Sequence, residues 1–253
     1  MIKTVGLCKH FGKKKAVQNL NLEIKKGEFF TFLGPNAAGK TTTIKMLTGL
    51  LKPTSGCAYV KDKDIQKDFL EAKKIIGYIP DTPFLYDKLT PREFVELVGT
   101  LYGLERGYLL EAAQDYFDFF SLNEVADILI ENLSHGLQQR IVYIAALIHR
   151  PEVIFIDEPL VGLDPHSIHL IKRLLKKRTS QGTTIFMSTH ILSIAEELAD
   201  RIGIIDKGEM IAQGTFDELT KTSGVSGKLE DIFLKLTKAL DDESEFSNFK
   251  DKI

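Results

Sequence analysis

Residues 29–51 read FFTFLGPNAAGKTTTIKMLTGLL: an apolar run, a loop bracketed by glycines, and a segment with helical spacing. Gly34, Gly39, Lys40 and Thr41 meet the pattern G-x-x-x-x-G-K-[ST]. With Gly and Lys each near ~7% of residues, that pattern should arise by accident in a chain this long about once in a hundred cases. Its setting narrows it further. Phe29, Phe30, Phe32 and Leu33 form a buried-strand run ahead of the loop, and Ile44, Leu47 and Leu51 are spaced as one helical face behind it. Glycine lets the backbone wrap so that successive N–H groups point at phosphate oxygens, and the helix start adds its positive dipole end. The loop from Gly34 through Pro35, Asn36, Ala37, Ala38, Gly39, Lys40 and Thr41 to Thr42 is therefore read as a phosphate cradle. Lys40 is expected to reach the β- and γ-phosphates of a nucleotide, and the Thr41 hydroxyl to hold Mg²⁺.

The whole chain bounds what that cradle can serve. Its 253 residues suffice for a full core in one large or two modest domains. A net charge of −2 argues against a general affinity for nucleic acid or anionic lipid. Cys8 and Cys57 lack C-x-x-C spacing and suit a reducing compartment as small buried residues, so a cytosolic location is expected. No stretch approaches the ~20 apolar residues of a membrane helix, so work at a membrane would need a partner that supplies the span.

Along the chain, Leu20, Leu22 and Ile24 alternate with polar neighbours as a half-buried antiparallel strand does. Cys57 to Val60 and Ile75 to Ile79 are further strands, the second stopped by Pro80. Thr90-Pro91-Arg92-Glu93 combines a capping box with proline at the first helical position, and a mostly helical stretch runs from there to about Arg150. Strand and helix then alternate again: Val153 to Ile156, a helix capped at Asp164-Pro165, Thr183 to Met187, and a hairpin turning at Asp206-Lys207-Gly208. Leu229, Ile232, Phe233 and Leu236 mark a last helix, and residues 241–253 form an acidic tail expected to be disordered.

A phosphate cradle needs a second Mg²⁺ ligand and a group that activates water. Asp157 ends an apolar strand, which in a parallel sheet puts it at the carboxyl edge beside the loop. Glu158, one residue on, can take the proton of an attacking water. Phe11, ahead of Gly12 and a lysine run, is either core or a flat face for a purine.

Taken in order, these motifs resemble the nucleotide-binding subunit of an ABC transporter, over nearly everything from Ile2 to about Leu219. LSHGLQQR, Leu133 to Arg140, stands where the family has its signature Leu-Ser-Gly-Gly-Gln; Gly162-Leu163-Asp164 corresponds to the D-loop and His190 to the switch histidine. The resemblance implies an α/β P-loop NTPase fold with a RecA-like core, an antiparallel β-subdomain and an inserted helical subdomain, here at about 82–150 within a cassette of 1–225. It leaves 226–253 for the C-terminal helix and tail. It also implies ATP and Mg²⁺ as cofactors, a second ATPase subunit closing head to tail, and a membrane permease as partner, with no nucleic acid. The protein would then be cytoplasmic and peripheral to the membrane. By the same carry-over His190 contacts the γ-phosphate, and Ser134 and Gly136, at a helix start, complete the partner's ATP site.

Four positions depart from the family pattern. Ala37 replaces a loop glycine, His135 and Leu137 replace a signature glycine and glutamine, and Asp81 ends IGYIPD where the family has its Q-loop glutamine. Asp81 can still ligate Mg²⁺ but cannot act as a neutral donor. Ser-His-Gly in the signature, Asp81 and Ile-Phe-Leu-Lys-Leu-Thr at 232–237 resemble ATPases paired with ABC-2 type permeases, many of them exporters. Two alternatives use the same motifs: a nucleotide-gated assembly subunit with weak hydrolysis, and a soluble ABC ATPase outside transport.

Overall fold

A computed structural model describes residues 1–158, 163–225 and 227–237. Ten strands form two sheets. The first is antiparallel, in the order β2 (Lys14–Ile24), β1 (Ile2–Phe11), β4 (Ser55–Val60), β5 (Lys63–Asp64). The second has the order β10 (Glu209–Gly214), β9 (Arg201–Asp206), β3 (Phe29–Leu33), β8 (Thr184–Thr189), β7 (Val153–Asp157), β6 (Ile76–Ile79). It is parallel from β9 to β6, with β10 antiparallel at its edge. Helices α1 (Lys40–Leu47), α2 (Phe69–Lys73), α3 (Pro91–Leu101), α4 (Arg106–Phe120), α5 (His135–Leu147), α6 (Pro165–Ser180), α7 (Leu192–Leu198), α8 (Phe216–Ser223) and α9 (Leu229–Leu236) surround the sheets.

Strands β3, β7 and β8 are buried at every residue, as a central parallel strand covered on both faces must be. Period two sorts their side chains. Phe29, Ile154 and Ile156 face the helical insert, whereas Phe30, Phe32, Val153 and Phe155 face α1 and the antiparallel sheet. On that second face Phe186 packs against Phe30, Phe32 and Phe155, with ring centres 5.6, 5.4 and 5.7 Å apart, and floors the region beneath the phosphate loop. Pairing of Leu33 with Thr189 and of Asp157 with Ser188 ends three neighbouring strands at one level. The loop after β3, Glu158 after β7 and His190 after β8 therefore leave from the same carboxyl edge.

The capping box at Thr90 forms as expected, with Glu93 reaching back to the Thr90 N–H at 2.8 Å. Helices α3 to α5 make up the helical insert, and the β9–β10 hairpin turns where the sequence places it. Two readings need correction. Leu51 does not extend the helical face of Ile44 and Leu47, because α1 ends at Leu47: the Thr48 hydroxyl donates to the Ile44 carbonyl at 2.9 Å and Gly49, at φ +72°, turns the chain away. Cys8 and Cys57 are half-buried rather than buried, since both lie in the antiparallel sheet, whose outer side is only partly covered. The acidic segment 241–253 lies outside the described residues.

One core contact sets a pH limit. His149 stacks on Tyr102 with ring centres 3.7 Å apart, donates from Nε2 to the Ile76 carbonyl at 3.0 Å, and has no partner for Nδ1. Burial pushes its pKa down from 6.5 to about 4. Between those values the unfolded chain binds a proton that the folded chain refuses, so stability falls as the pH drops from about 6.5 to about 4. Chemical denaturation across that range should show a steeper loss in the wild type than in His149→Gln; parallel profiles would remove His149 as the cause.

Candidate nucleotide site

The phosphate loop is clasped by backbone from both sheets. A Cβ on Gly34 would lie 2.4 Å from the Ile205 carbonyl oxygen, and one on Gly39, at φ +112°, would lie 2.5 Å from that of Ala16. The Gly208 N–H donates to Ala38 at 2.9 Å and the Gln18 N–H to Gly208 at 2.8 Å. Ala37 takes φ +64°, the left-handed conformation for which glycine is the unstrained choice, at a cost of about 1 kcal/mol. Lys40, with 5% of its side chain exposed, donates to the carbonyls of Gly34 at 2.8 Å and Pro35 at 3.0 Å, and pairs with Glu158 Oε1 at 3.1 Å.

Glu158 bridges two partners. Its second oxygen lies 2.5 Å from His190 Nδ1, and its backbone, at φ +49°, is fixed by N–H contacts to the Ser188 carbonyl and hydroxyl at 3.2 and 3.3 Å. The structure thus brings the three expected catalytic residues into one chain of contacts, an ion pair from Lys40 to Glu158 and a close polar contact from Glu158 to His190.

Asp157 is fully buried. The Ser188 hydroxyl donates to Oδ1 at 2.5 Å, and Oδ2 has no partner. Burial raises its pKa, opposed by the Ser188 and Thr41 hydroxyls. A buried carboxylate oxygen without a partner beside a threonine hydroxyl is a donor set for a hard divalent cation. No group of three or more His, Cys, Asp or Glu side chains is arranged to hold a metal alone among the described residues, so phosphate oxygens and water would complete such a shell. Asp81 is exposed and accepts the Thr82 N–H at 2.8 Å within its own turn, while its charge still reaches Asp157 and adds to the rise in that group's pKa.

Phe11 is 50% exposed, with Lys9 Nζ 5.1 Å from its ring centre. It pairs with Lys14 at the turn end of the β1–β2 hairpin, the end that meets the phosphate loop through Ala16. This exposure fits the flat face for a purine rather than core.

Ser134 caps α5, accepting the Leu137 N–H at 3.4 Å, and space above Gly136 is open to within 4.0 Å of Leu163. Among the described residues no hydrogen bond joins Ser134 or Gly136 to the loop 34–42. Leu137, in the place of the family's glutamine, turns inward and packs against the helical core. Gly162 of the D-loop lies outside the described residues.

Three residues with no role expected from sequence hold the site together: Ser188, Arg140 and Ser167. Arg140 donates to the Phe120 carbonyl at 2.9 Å and the Ser167 hydroxyl at 2.7 Å, and lies 3.6 Å from Asp164 Oδ2. Asp164 caps α6 by accepting the Ser167 N–H at 3.0 Å, and the Ser167 hydroxyl, then its N–H, with Arg140 adding less, draw its pKa down to about 2. The second turn of α5 is thereby tied to the start of α6. The only sequence signal was local, since Ser167 stands three residues after Asp164 as a capped N–H does.

Known proteins resemble this chain in sequence and in fold. The family profile described as "ABC transporter" matches residues 17–161. The linearmycin resistance ATP-binding protein LnrL of Bacillus subtilis (strain 168) is 41% identical over 224 residues, 88% of this chain and 72% of that protein. The bacitracin transport ATP-binding protein BcrA of Bacillus licheniformis is 38% identical, over 87% of this chain and 72% of its own. Among solved structures, an ATP-binding subunit of an ABC transporter superposes with a TM-score of 0.89 at 28% identity, over 94% of this chain and 99% of its own. A dimeric post-hydrolysis state of the cassette MJ0796 bound to ADP and Pi gives 0.77 at 28% identity, over 85% and 98%.

Proposed function

Because the chain belongs to the ABC transporter family, as an ATP-hydrolysing subunit that pairs with a second ATPase subunit and a membrane permease, we propose how its own residues divide the work. The Gly34–Thr42 loop and Lys40 hold the phosphates, with Phe11 under the adenine. Thr41 and Asp157, with Asp81 within electrostatic reach, are the residues that would hold Mg²⁺, which when bound neutralises phosphate charge. Glu158 takes the proton of the attacking water and His190 orients Glu158 and senses the γ-phosphate. Ser134 and Gly136 of one copy, presented by the N-terminus of α5, close over the ATP of the other, so that the γ-phosphate bridges two subunits and its loss releases them. The observation that carries this reading is the continuous pairing of Lys40, at the start of α1, with Glu158 and His190, which follow the adjacent parallel strands β7 and β8.

In this reading residues 1–225 are the cassette, with 82–150 as its helical subdomain and 226–253 as a C-terminal helix and tail. No helix among the described residues is long and apolar enough to cross a membrane, and the cassette acts at the cytoplasmic face through its permease. The resistance and transport named for LnrL and BcrA favour an exporter. The docking surface is the apolar groove of about 480 Å³ between β6, α3 and α5, where Phe84 is 83% exposed beside Leu85, Tyr78 and Val98. Phe84→Asp or Leu85→Asp should abolish co-purification with the permease and cut export about tenfold or more, as loss of a buried interface anchor does, while ATP-dependent dimerisation persists. Intact export in both variants would overturn this assignment.

A further inference from the structure

Helix α6 is capped by Asp164, near the catalytic end, and runs about 24 Å from Pro165 to the amino edge of the sheet, where β8 starts at Thr184. There α4, the turn after α5 and the second half of α6 line a groove of about 780 Å³. Its walls carry Arg150, Arg173, Lys176, Lys177 and Arg178 against a single carboxylate, Asp115. In a chain of net charge −2 that is a local concentration of cations. Helix α6 has no acidic residue, and Arg173, Lys176 and Lys177 are neighbours on one face, an arrangement that repels itself. Lys172 is neutralised by Glu197 at 2.5 Å, but none of the five groove cations has an ion pair among the described residues. The dipole of α6 accounts for cations in its last turn, Lys177 and Arg178, and not for Arg173 two turns before its end.

Two of the three arginines are also held in place. Arg150 lies over Tyr108, 4.8 Å from the ring centre, and the Tyr108 hydroxyl donates to the Ile148 carbonyl at 3.4 Å. Arg178 donates to the Tyr116 hydroxyl, which donates to the Leu147 carbonyl at 3.4 Å. Two guanidinium groups are thus fixed on tyrosines anchored to the last carbonyls of α5, so little side-chain freedom remains to be lost when an anion arrives. The floor is closed by buried Ala112 and Leu174, which suits a molecule entering the groove better than a flat array of headgroups.

We infer that this groove is a second anion site, separate from the nucleotide site, that takes a small soluble ligand carrying two or more phosphate groups. Paired arginine forks match phosphate oxygens, and lysines supply the remaining charge. The test is calorimetric titration of the full chain with inorganic pyrophosphate while ADP saturates the phosphate loop, alongside flotation with vesicles of phosphatidylcholine and phosphatidylglycerol in equal parts. The wild type should bind pyrophosphate once, with affinity that falls as salt rises. Arg173→Glu/Lys177→Glu should weaken binding roughly tenfold or more, and Arg150→Gln by less, with phosphate release from ATP in the absence of pyrophosphate unchanged in both. Absence of binding with ADP present, equal affinity in wild type and double variant, or binding confined to the vesicles would each overturn the inference.

Discussion

Glu158→Gln is expected to lower ATP turnover about 10²-fold or more while leaving ATP binding and ATP-dependent dimerisation in place. The amide matches the carboxylate in shape, and its oxygen can still face Lys40, now at 3.1 Å from Oε1. What it lacks is the ability to take a proton from water. The backbone at φ +49° is equally demanding of both residues, so the exchange adds no new strain. Phosphate release measures the first half of the expectation, and light scattering with and without ATP the second. Unchanged hydrolysis would remove Glu158 as the base. A variant that stays monomeric with ATP would remove the shared site.

Lys40→Ala should have the other large effect, a fall in turnover of about 10² to 10³ together with weaker binding of ATP, the usual scale for removing a donor aimed at developing charge. Lys40 is almost buried, and its ammonium meets the Gly34 and Pro35 carbonyls as well as Glu158. Lys40→Arg should not restore activity, because a planar fork cannot fit an ammonium seat bounded by two carbonyls at 2.8 and 3.0 Å. Fluorescence titration with ATP and with AMP separates this from collapse of the loop: affinity for ATP should fall much more than affinity for AMP. An equal loss for both would show that Lys40 shapes the loop rather than gripping the terminal phosphates.

The parts of the site that were legible in the sequence are those written in short spans. The glycine spacing of the loop, the Asp157-Glu158 strand end, the caps at Thr90, Ser134 and Asp164, and the β9–β10 turn each depend on residues within a few positions of one another. What escaped depends on chain segments far apart. Ser188 meets Asp157 across 31 positions, and Arg140 meets Ser167 across 27; only the strand order and the helix crossing bring them together. The cost of Ala37 could be posed from sequence but not decided, because a positive φ is a property of the folded loop. Leu51 misled because its spacing fits the helical face while Thr48 and Gly49 end the helix first.

The narrow seats of Gly34 and Gly39 carry a consequence for biosynthesis. The cradle takes its shape from main-chain atoms of Ala16, Ile205 and Gly208, supplied by segments at opposite ends of the polypeptide. A nascent chain is therefore expected to gain no grip on ATP when residues 34–42 leave the ribosome. It does so only after the hairpin at Gly208 has emerged and docked, so the cell's nucleotide pool can stabilise the finished cassette but cannot template its early folding.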